Sequence, residues 1–457
     1  MDKIDKMEAA ILIKHRALVQ LKNALQEMNP ADMAQLLGEL MEQGDDFGEK
    51  ELTLIFRVLP KELAAETFAY MDSDLQMILI NAFSDRELKA VIDELFLDDT
   101  VDIIEEMPAN VVSRILKNTD PDRRKQINEL LNYPEDSAGS IMTTEFVFFH
   151  KGDTVKEAID RVRSIGLVKE TVYTCYVTEQ RQLVGTVTLL DLLVADDDKI
   201  VEELTDTNVI CVGTHEDQES VAHTFAKYDL PALPVVDTEN RIVGIITYDD
   251  VIDVIREENT EDISVMNAVV PNEDSYLKTG VFKHVKSRIG WLLVLMISAT
   301  FTGLITNHFE AQIAALPLLV SFISMLTDTG GNCGSQSSAM IIQGMAMDEI
   351  HLKDFWKVLF KELRIALVCS FILAVVNFVR IVLIYRNEEG ILMIATAVCV
   401  ALVATVCLAK VIGCILPMVA KKIHVDPAVM SAPLVTTIVD CGSTLIYFSV
   451  ATHLLDF

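Results

Sequence analysis

Two arrangements of carboxylates in this chain could do chemistry. The first is a single residue. Asp440 stands near the middle of PAVMSAPLVTTIVDCGSTLIYFSVATHLL, residues 427–455. That stretch is apolar and long enough to cross a bilayer, which takes ~20 residues of helix. A carboxylate inside such a span tends to face a bundle interior or a watery path, paired or on an ion route. Neighbouring hydroxyls or a basic residue on another helix would also satisfy it. The second arrangement is a set of acids at helical spacing. Asp98 and Asp102 lie in FLDDTVDIIEEMP, and Glu258 and Asp262 lie in a cluster with Glu257 and Glu261. A spacing of four puts each pair on one helix face, where like charges repel unless a cation or a base sits between them. For Asp98 the competing reading is capping, because the macrodipole favours acids near a helix N-terminus.

These residues need two different settings, and the charge distribution supplies them. Of 38 Lys and Arg and 68 Asp and Glu in 457 residues, 28 and 57 precede Ser287, so the excess acid sits almost wholly in the first part. The remainder is nearly neutral and apolar. This is the profile of an acidic soluble module joined to a membrane domain. An acidic surface repels nucleic acid and attracts cations. The eight Cys show no spacing of a metal knuckle or a disulfide framework.

Taken in order, residues 1–132 read as an all-α domain of short amphipathic helices in series, a superhelical stack or compact bundle. Pro30, Pro60 and Pro108 open helices, with Asn29 capping the first of these. Residues 138–200 and 201–256 form an internal repeat. Each copy alternates short β-rich runs with helices and ends its second strand in Thr-x-x-Asp, at Thr188–Asp191 and Thr247–Asp250. Residues 257–288 read as a long connecting helix that turns basic where it meets the membrane.

Residues 289–457 read as five spans: 291–306, 313–346, 365–385, 391–420 and 427–455. The second is interrupted by a polar run, TDTGGNCGSQSS (327–338). That run cannot face lipid. Its Gly330, Gly331 and Gly334 permit close helix approach, and Asn332, Ser335 and Gln336 can bond between helices. Tight packing and lining of the path at Asp440 are both open. Basic residues cluster before span one (Lys278, Lys283, Lys286, Arg288), between spans two and three, and between spans four and five (Lys421, Lys422). The positive-inside rule then puts the N-terminus and soluble module in the cytoplasm and the C-terminus outside. Arg380 can snorkel. Lys410 lies deeper; a pairing with Asp328 or Asp440 and snorkelling are equally open.

PLLVSFISMLTDTGGNCGSQSS followed by DPAVMSAPLVTTIVDCGSTLIYF resembles the MgtE family of magnesium channels. So does the order of parts, from an acidic helical domain through LNYPEDSAGSIMT, a repeat that resembles tandem CBS domains, and a connecting helix to the spans. The resemblance implies a multi-domain membrane protein: an all-α N-terminal superhelical domain, α/β tandem CBS domains, a long connecting helix and a five-helix α transmembrane domain. It implies a homodimer in the lipid of the cell membrane, with the ion path on the two-fold axis. The family's pore aspartate falls on Asp440 and its Gly-Gly-Asn on Gly330, Gly331 and Asn332. Where the family motif often has Asn, this chain has Ala432. The family senses cytosolic Mg²⁺ through acids that fall on Asp98, Asp102, Asp217, Glu219, Asp229, Asp250, Asp253, Glu258, Glu261 and Asp262. ATP is the second ligand implied, at Thr188, Asp191, Thr247 and Asp250, with a capped β–α turn as the other account of those corners.

Mg²⁺ sheds water reluctantly and is usually held by one or two carboxylates through retained waters. Paired Asp440 carboxylates in a dimer would form an acidic ring, and Ala428, Ser431, Ala432 and Gly442 would leave room for the water shell. Two other readings are a CBS-gated transporter or channel for another ion and a membrane-bound nucleotide sensor. No constellation for an enzyme stands out.

Overall fold

The computed structural model describes residues 12, 15, 17–43, 47–272, 276, 277, 279–430 and 432–455. Lys278 and Ser431 lie outside the described residues. The chain forms two compact units, Met1–Ile255 and Arg256–Phe457.

The first unit begins with short helices in series: α1 (Leu18–Leu25), α2 (Pro30–Gln43), α3 (Glu49–Val58), α4 (Lys61–Ala69), α5 (Ser73–Ala82), α6 (Asp85–Ile92), α7 (Leu97–Glu106), α8 (Ala109–Asn118) and α9 (Pro121–Leu130). Local chemistry starts them. Asn29 Oδ1 accepts the Ala31 amide at 3.0 Å, and Ser84 with Glu87 forms a capping box. Each helix is too short to persist alone in water and is held by the face it buries. Leu37, Leu52, Phe68, Leu79, Ile92 and Ile115 are among those buried faces. The same core runs on through Ala138 and Met142 into Val221, Leu233, Ile246 and Val254, so the helical domain and the second α/β copy share one apolar interior.

The repeat is borne out strand by strand. In the first copy β1 (Phe148–His150) pairs parallel with β2 (Thr174–Glu179), and β2 pairs antiparallel with β3 (Gln182–Thr188). In the second, β4 (Val212–Gly213), β5 (Ala232–Val236) and β6 (Ile242–Thr247) repeat that order and sense. The β2–β3 hairpin closes on Gln180 and Arg181, both at positive φ, the mirror-image turn that matches strand twist. Helices α10 (Val155–Ile165), α11 (Leu189–Val194), α12 (Gln218–Tyr228) and α13 (Tyr248–Met266) complete the two copies. Tyr176, Leu183, Val236 and Ile245 form a shared core between them.

The connector at 257–288 divides differently from a single helix. Its first part is the end of α13, and its last part begins α14 (Val281–His308), which runs on as the first apolar helix. Ala268 between them has φ of 56°, a conformation that ends a helix.

The second unit adds a short helix, α15 (Glu310–Ala315), then α16 (Val320–Ala346), α17 (Phe355–Ile384), α18 (Ile391–Lys422) and α19 (Ala432–Leu454). Four of its helices, α14, α17, α18 and α19, are long and apolar enough to cross a membrane. The fifth, α16, has 27 residues, ~40 Å at 1.5 Å per residue, but is more polar. The polar run 327–338 lies within this one helix, and hydroxyls there bond back onto its own turns: Ser335 Oγ donates to Gly331 O at 2.8 Å and Thr327 Oγ1 to Ile323 O at 3.1 Å.

Candidate functional site

Helix α16 is packed against α19 by its small residues. A Cβ built on Gly331 would meet Thr436 Cγ2 at 2.7 Å, and one on Gly334 would meet Val435 at 2.8 Å. One on Gly330 would meet Thr405 of α18 and Val439 of α19. Close approach of backbones is the use of such residues in membrane bundles. So Gly330 and Gly331 are buried and pack closely against α18 and α19. Two further bonds fix the register. Ser338 Oγ donates to Met430 O at 2.7 Å, and Tyr447 Oη donates to Leu319 O at 2.9 Å. The two helices are therefore antiparallel, and Asp328 comes level with Asp440. Asp328 is the like charge that acts on Asp440.

A second set of polar residues on α16 takes another face. Ser324, Asp328, Asn332 and Gln336 are all exposed and recur every four residues, so they form one polar stripe along a helix of membrane length. Asn332 is thus exposed on this stripe, and it shares the face with Asp328, which sequence reasoning weighed only as a partner for Lys410. The signal was present in the period of four. Ala432 is exposed at the start of α19, whereas Ala428 is fully buried in the preceding turn, its amide donating to Asp426 Oδ1 at 2.8 Å. Among the described residues the carboxylates of Asp328 and Asp440 take no ion pair or hydrogen bond from a side chain. Lys410 pairs with neither: its Nζ lies 3.8 Å from Glu362 Oε2. Arg380 meets Met325 Sδ at 2.8 Å.

In the first unit a second group of carboxylates converges. Asp98 and Asp99 open α7, Glu145 and Glu170 come from the first α/β copy, and Asp249 and Asp250 open α13. Asp98 is only 8% exposed. Burial, then Asp250, Glu170 and Asp99, raise its carboxyl well above the usual range. Burial raises Asp99 to about 6 and Asp250 to about 6. Burial followed by Asp250 and Asp249 raises Glu170 to about 8, and its Oε2 is buried without a partner. Three local donors offset part of this. The Leu97 amide bonds Glu145 Oε2 at 3.2 Å, the Asp99 amide bonds Asp98 Oδ1 at 3.0 Å, and Thr247 Oγ1 bonds Asp250 Oδ2 at 2.5 Å. Arg123 also acts on Asp99 and Glu145.

This junction brings together Asp98, Asp99, Glu145, Glu170, Asp249 and Asp250. Asp102 is exposed one turn further along α7, and Asp253 is exposed on α13. Asp217 and Asp229 sit at opposite ends of α12, one as N-cap and one as a left-handed C-cap with φ of 51°. Glu219 lies 3.7 Å from His223. Glu258, Glu261 and Asp262 lie on the later turns of α13. Among the described residues no three His, Cys, Asp or Glu side chains close into a metal cage. The donor set still fits Mg²⁺: it is all hard oxygen, carries surplus negative charge, and is open enough for an ion that keeps its water. Thr188 and Asp191 form a capping box, and Asp250 Oδ2 accepts from the Thr247 amide at 3.2 Å and from Thr247 Oγ1. Asp191 Oδ2 accepts from the Thr188 amide at 3.2 Å.

The raised carboxyls make a pH test. A group whose pKa is higher folded than unfolded stabilises the fold at low pH and loses that contribution as pH rises through the folded value. For Asp99, Asp250 and Glu170 the window runs from the ordinary carboxylate range to about 8. In chelator, the full chain in detergent should show a falling first unfolding transition between pH 5.5 and 8.5, and Mg²⁺ should restore it most at the alkaline end. A flat profile would count against burial of these charges.

Known proteins account for the whole arrangement. A family model described as a divalent cation transporter, MgtE, matches residues 323–450; the MgtE intracellular N domain matches 28–136; CBS domains match 138–198 and 201–257. The chain is 34% identical to the magnesium transporter MgtE of Thermus thermophilus over 97% of its own length and 100% of that protein. It is 30% identical to MgtE of Bacillus subtilis, over 97% and 95%. The crystal structure of the soluble part of a magnesium transporter, 28% identical, matches with a TM-score of 0.50 over 56% of this chain and 99% of that one. The cytosolic domain of the Mg²⁺ channel MgtE in complex with ATP, 34% identical, covers 54% of this chain with a TM-score of 0.49. These relatives are transporters rather than enzymes, and the chain, with membrane-capable helices behind an N domain and two CBS domains, belongs to the MgtE family of magnesium transporters.

Proposed function

We propose that the protein conducts Mg²⁺ across the cell membrane as a homodimer, and that cytosolic Mg²⁺ closes it. The carrying observation is the exposed Ser324–Asp328–Asn332–Gln336 stripe on α16, with Asp328 level with Asp440 on α19. A polar row of this length is excluded from lipid. It needs water, ions or a second copy against it, and an axial path between two copies supplies all three. Rings of acid favour cations, and carboxylates that act through retained water suit Mg²⁺. The basic residues Lys283, Lys286, Arg288, Lys353, Lys357, Lys361, Arg364, Lys421 and Lys422 support an orientation with the soluble domains and N-terminus inside and the C-terminus outside.

Closure follows from the acidic junction and from Glu258, Glu261 and Asp262 on α13. Without Mg²⁺ the carboxylates repel and loosen the packing of the N domain on the CBS pair. With Mg²⁺ between them the repulsion becomes attraction, and the ion shifts a two-state equilibrium by binding one state better. Asp102, Asp217, Glu219, Asp229 and Asp253 extend the acidic surface on which ions gather. Regulation by ATP at Thr188, Asp191, Thr247 and Asp250 rests on the resemblance, because capping alone accounts for those residues.

The test is radiotracer or dye-reported flux in proteoliposomes, with Mg²⁺ against Cl⁻. Mg²⁺ should enter and Cl⁻ should not. Asp328→Asn should cut Mg²⁺ flux by about tenfold while the protein stays folded, a change of ~1.4 kcal/mol in the barrier. Parental flux in that variant would remove the stripe from the path.

A further inference from the structure

The sequence left Lys410 without a role, and the ion path does not use it. Its Nζ is 3.8 Å from Glu362 Oε2, and both side chains are nearly inaccessible, Lys410 at 7% and Glu362 at 8% exposure. The same Oε2 accepts Ser337 Oγ at 2.6 Å, with Ser337 at 1% exposure. Three helices thus meet at one carboxylate: α16 through Ser337, α17 through Glu362 and α18 through Lys410. Cys333 and Cys414 stand beside it, within reach of the Lys410 and Glu362 charges respectively.

The next residue, Ser338, donates to Met430 O in the turn that starts α19. One helical turn before Ser337 is Gly334, packed on Val435, and a Cβ on Gly413 of α18 would strike Gly334 O at 2.2 Å. So α16 is held at this level from two sides. One side is the ion pair, and the other is the helix that carries Asp440.

We infer that the Glu362–Lys410 pair, acting through Ser337, is a positioning element for Mg²⁺ conduction that holds the α16 polar stripe in register with Asp440. A buried ion pair is a poor way to gain stability, since apolar residues of like volume often hold helices as well or better. What it supplies is direction and neutrality. The bond from Ser337 adds a hold on the height and rotation of α16 from the side of α17 and α18, beside the Ser338–Met430 and Tyr447–Leu319 bonds that tie it to α19. The paired charges cancel, so a Lys within the bundle adds no net repulsion to a passing dication. Either charge alone would disturb both functions, whereas removing both leaves a neutral site that still fits.

The inference rests on α16 lining the path. Failure of that reading would appear as Asp328→Asn conducting like the parent, and failure of this one as the results below. Full-length Lys410→Met, Glu362→Gln, the double variant and Ser337→Ala are reconstituted in liposomes, with thermal unfolding of each sample measured beside Mg²⁺ flux. In Lys410→Met, maximal flux should fall about tenfold, the size of coupling found between contacting residues, while the half-saturating Mg²⁺ changes less than about twofold. The double variant should recover to within about threefold of the parent. Ser337→Ala should lower maximal flux, again with little change in half-saturating Mg²⁺. Should Lys410→Met fail to fold, Glu362→Gln and the double variant carry the comparison. Folded single variants with parental flux would overturn the inference. So would a folded double variant that conducts no better than the singles.

Discussion

Asp440→Ala is expected to abolish Mg²⁺ uptake while the protein continues to fold and insert. The two halves of that result have separate causes. Asp440 is half-buried on α19, level with Asp328, and among the described residues its carboxylate has no basic partner. It therefore contributes no ion pair whose loss would strand another charge, and truncation leaves the α16–α19 packing at Gly330, Gly331 and Gly334 intact. Conduction is different. A hydrated dication leaves bulk water only if fixed negative charge replaces part of its solvation, and a carboxylate in a low-dielectric bundle acts far more strongly than one in water. In a homodimer the substitution removes two such charges at once. Asp440→Asn keeps the shape and the hydrogen-bonding oxygen but not the charge. It should also fall below ~1% of parental flux if charge is what matters, each tenfold being ~1.4 kcal/mol of barrier. The measurement is initial Mg²⁺ uptake per folded dimer in proteoliposomes, with size-exclusion behaviour and unfolding temperature as the folding control. Flux near the parental rate from either variant would remove Asp440 from the path.

What could be read beforehand follows the range of the interaction involved. Asp440 and the glycines of α16 were legible because each is an exception inside a strongly apolar stretch, and the exception is visible within one helix. The repeat was legible because both copies end a strand in Thr-x-x-Asp, and that pattern marks a local event, a capping box. Asp98 was found by spacing from Asp102, Asp250 entered only through the family resemblance, and Glu170 was not found at all. Helix geometry pairs Asp98 with Asp102, but the fold turns Asp98 inward and leaves Asp102 exposed. The charges that act on Asp98 come instead from Glu170 and Asp250, 72 and 152 positions along the chain. Only the packing of α7 on the CBS pair brings those together, and no local pattern encodes it. Lys410 failed for the same reason. Its partner Glu362 reads in sequence as one acid among the basic residues at the start of α17, and its burial depends on a third helix. The connector failed otherwise: its amphipathic pattern was real, but Ala268 divides it between two longer helices.

Neutralising part of the acidic junction should separate binding from repulsion, and the sign is informative. Six carboxylates meet there, at Asp98, Asp99, Glu145, Glu170, Asp249 and Asp250. Substituting Asp98→Asn and Asp250→Asn together removes two ionisable groups and leaves four. Those that ionise still repel, so the loosened state persists without Mg²⁺. The ion that would bridge the packed state has lost two ligand groups, and its differential affinity for that state falls. Closure should then need about tenfold more cytosolic Mg²⁺ than in the parent, within the usual range of coupling energies between a ligand and a conformational change. Replacing Glu258, Glu261 and Asp262 together should act in the same direction through the later turns of α13. Neutralising all six junction carboxylates should do the opposite. With no repulsion left, the N domain packs on the CBS pair without any ion, and the channel stays shut at every Mg²⁺ concentration. Single-channel open probability in excised patches, titrated with Mg²⁺ on the cytosolic face, distinguishes the three variants. An unchanged closing midpoint in the double variant would dissociate the junction from gating. A sixfold-neutral protein that remains open in chelator would show that repulsion is not what holds the channel open.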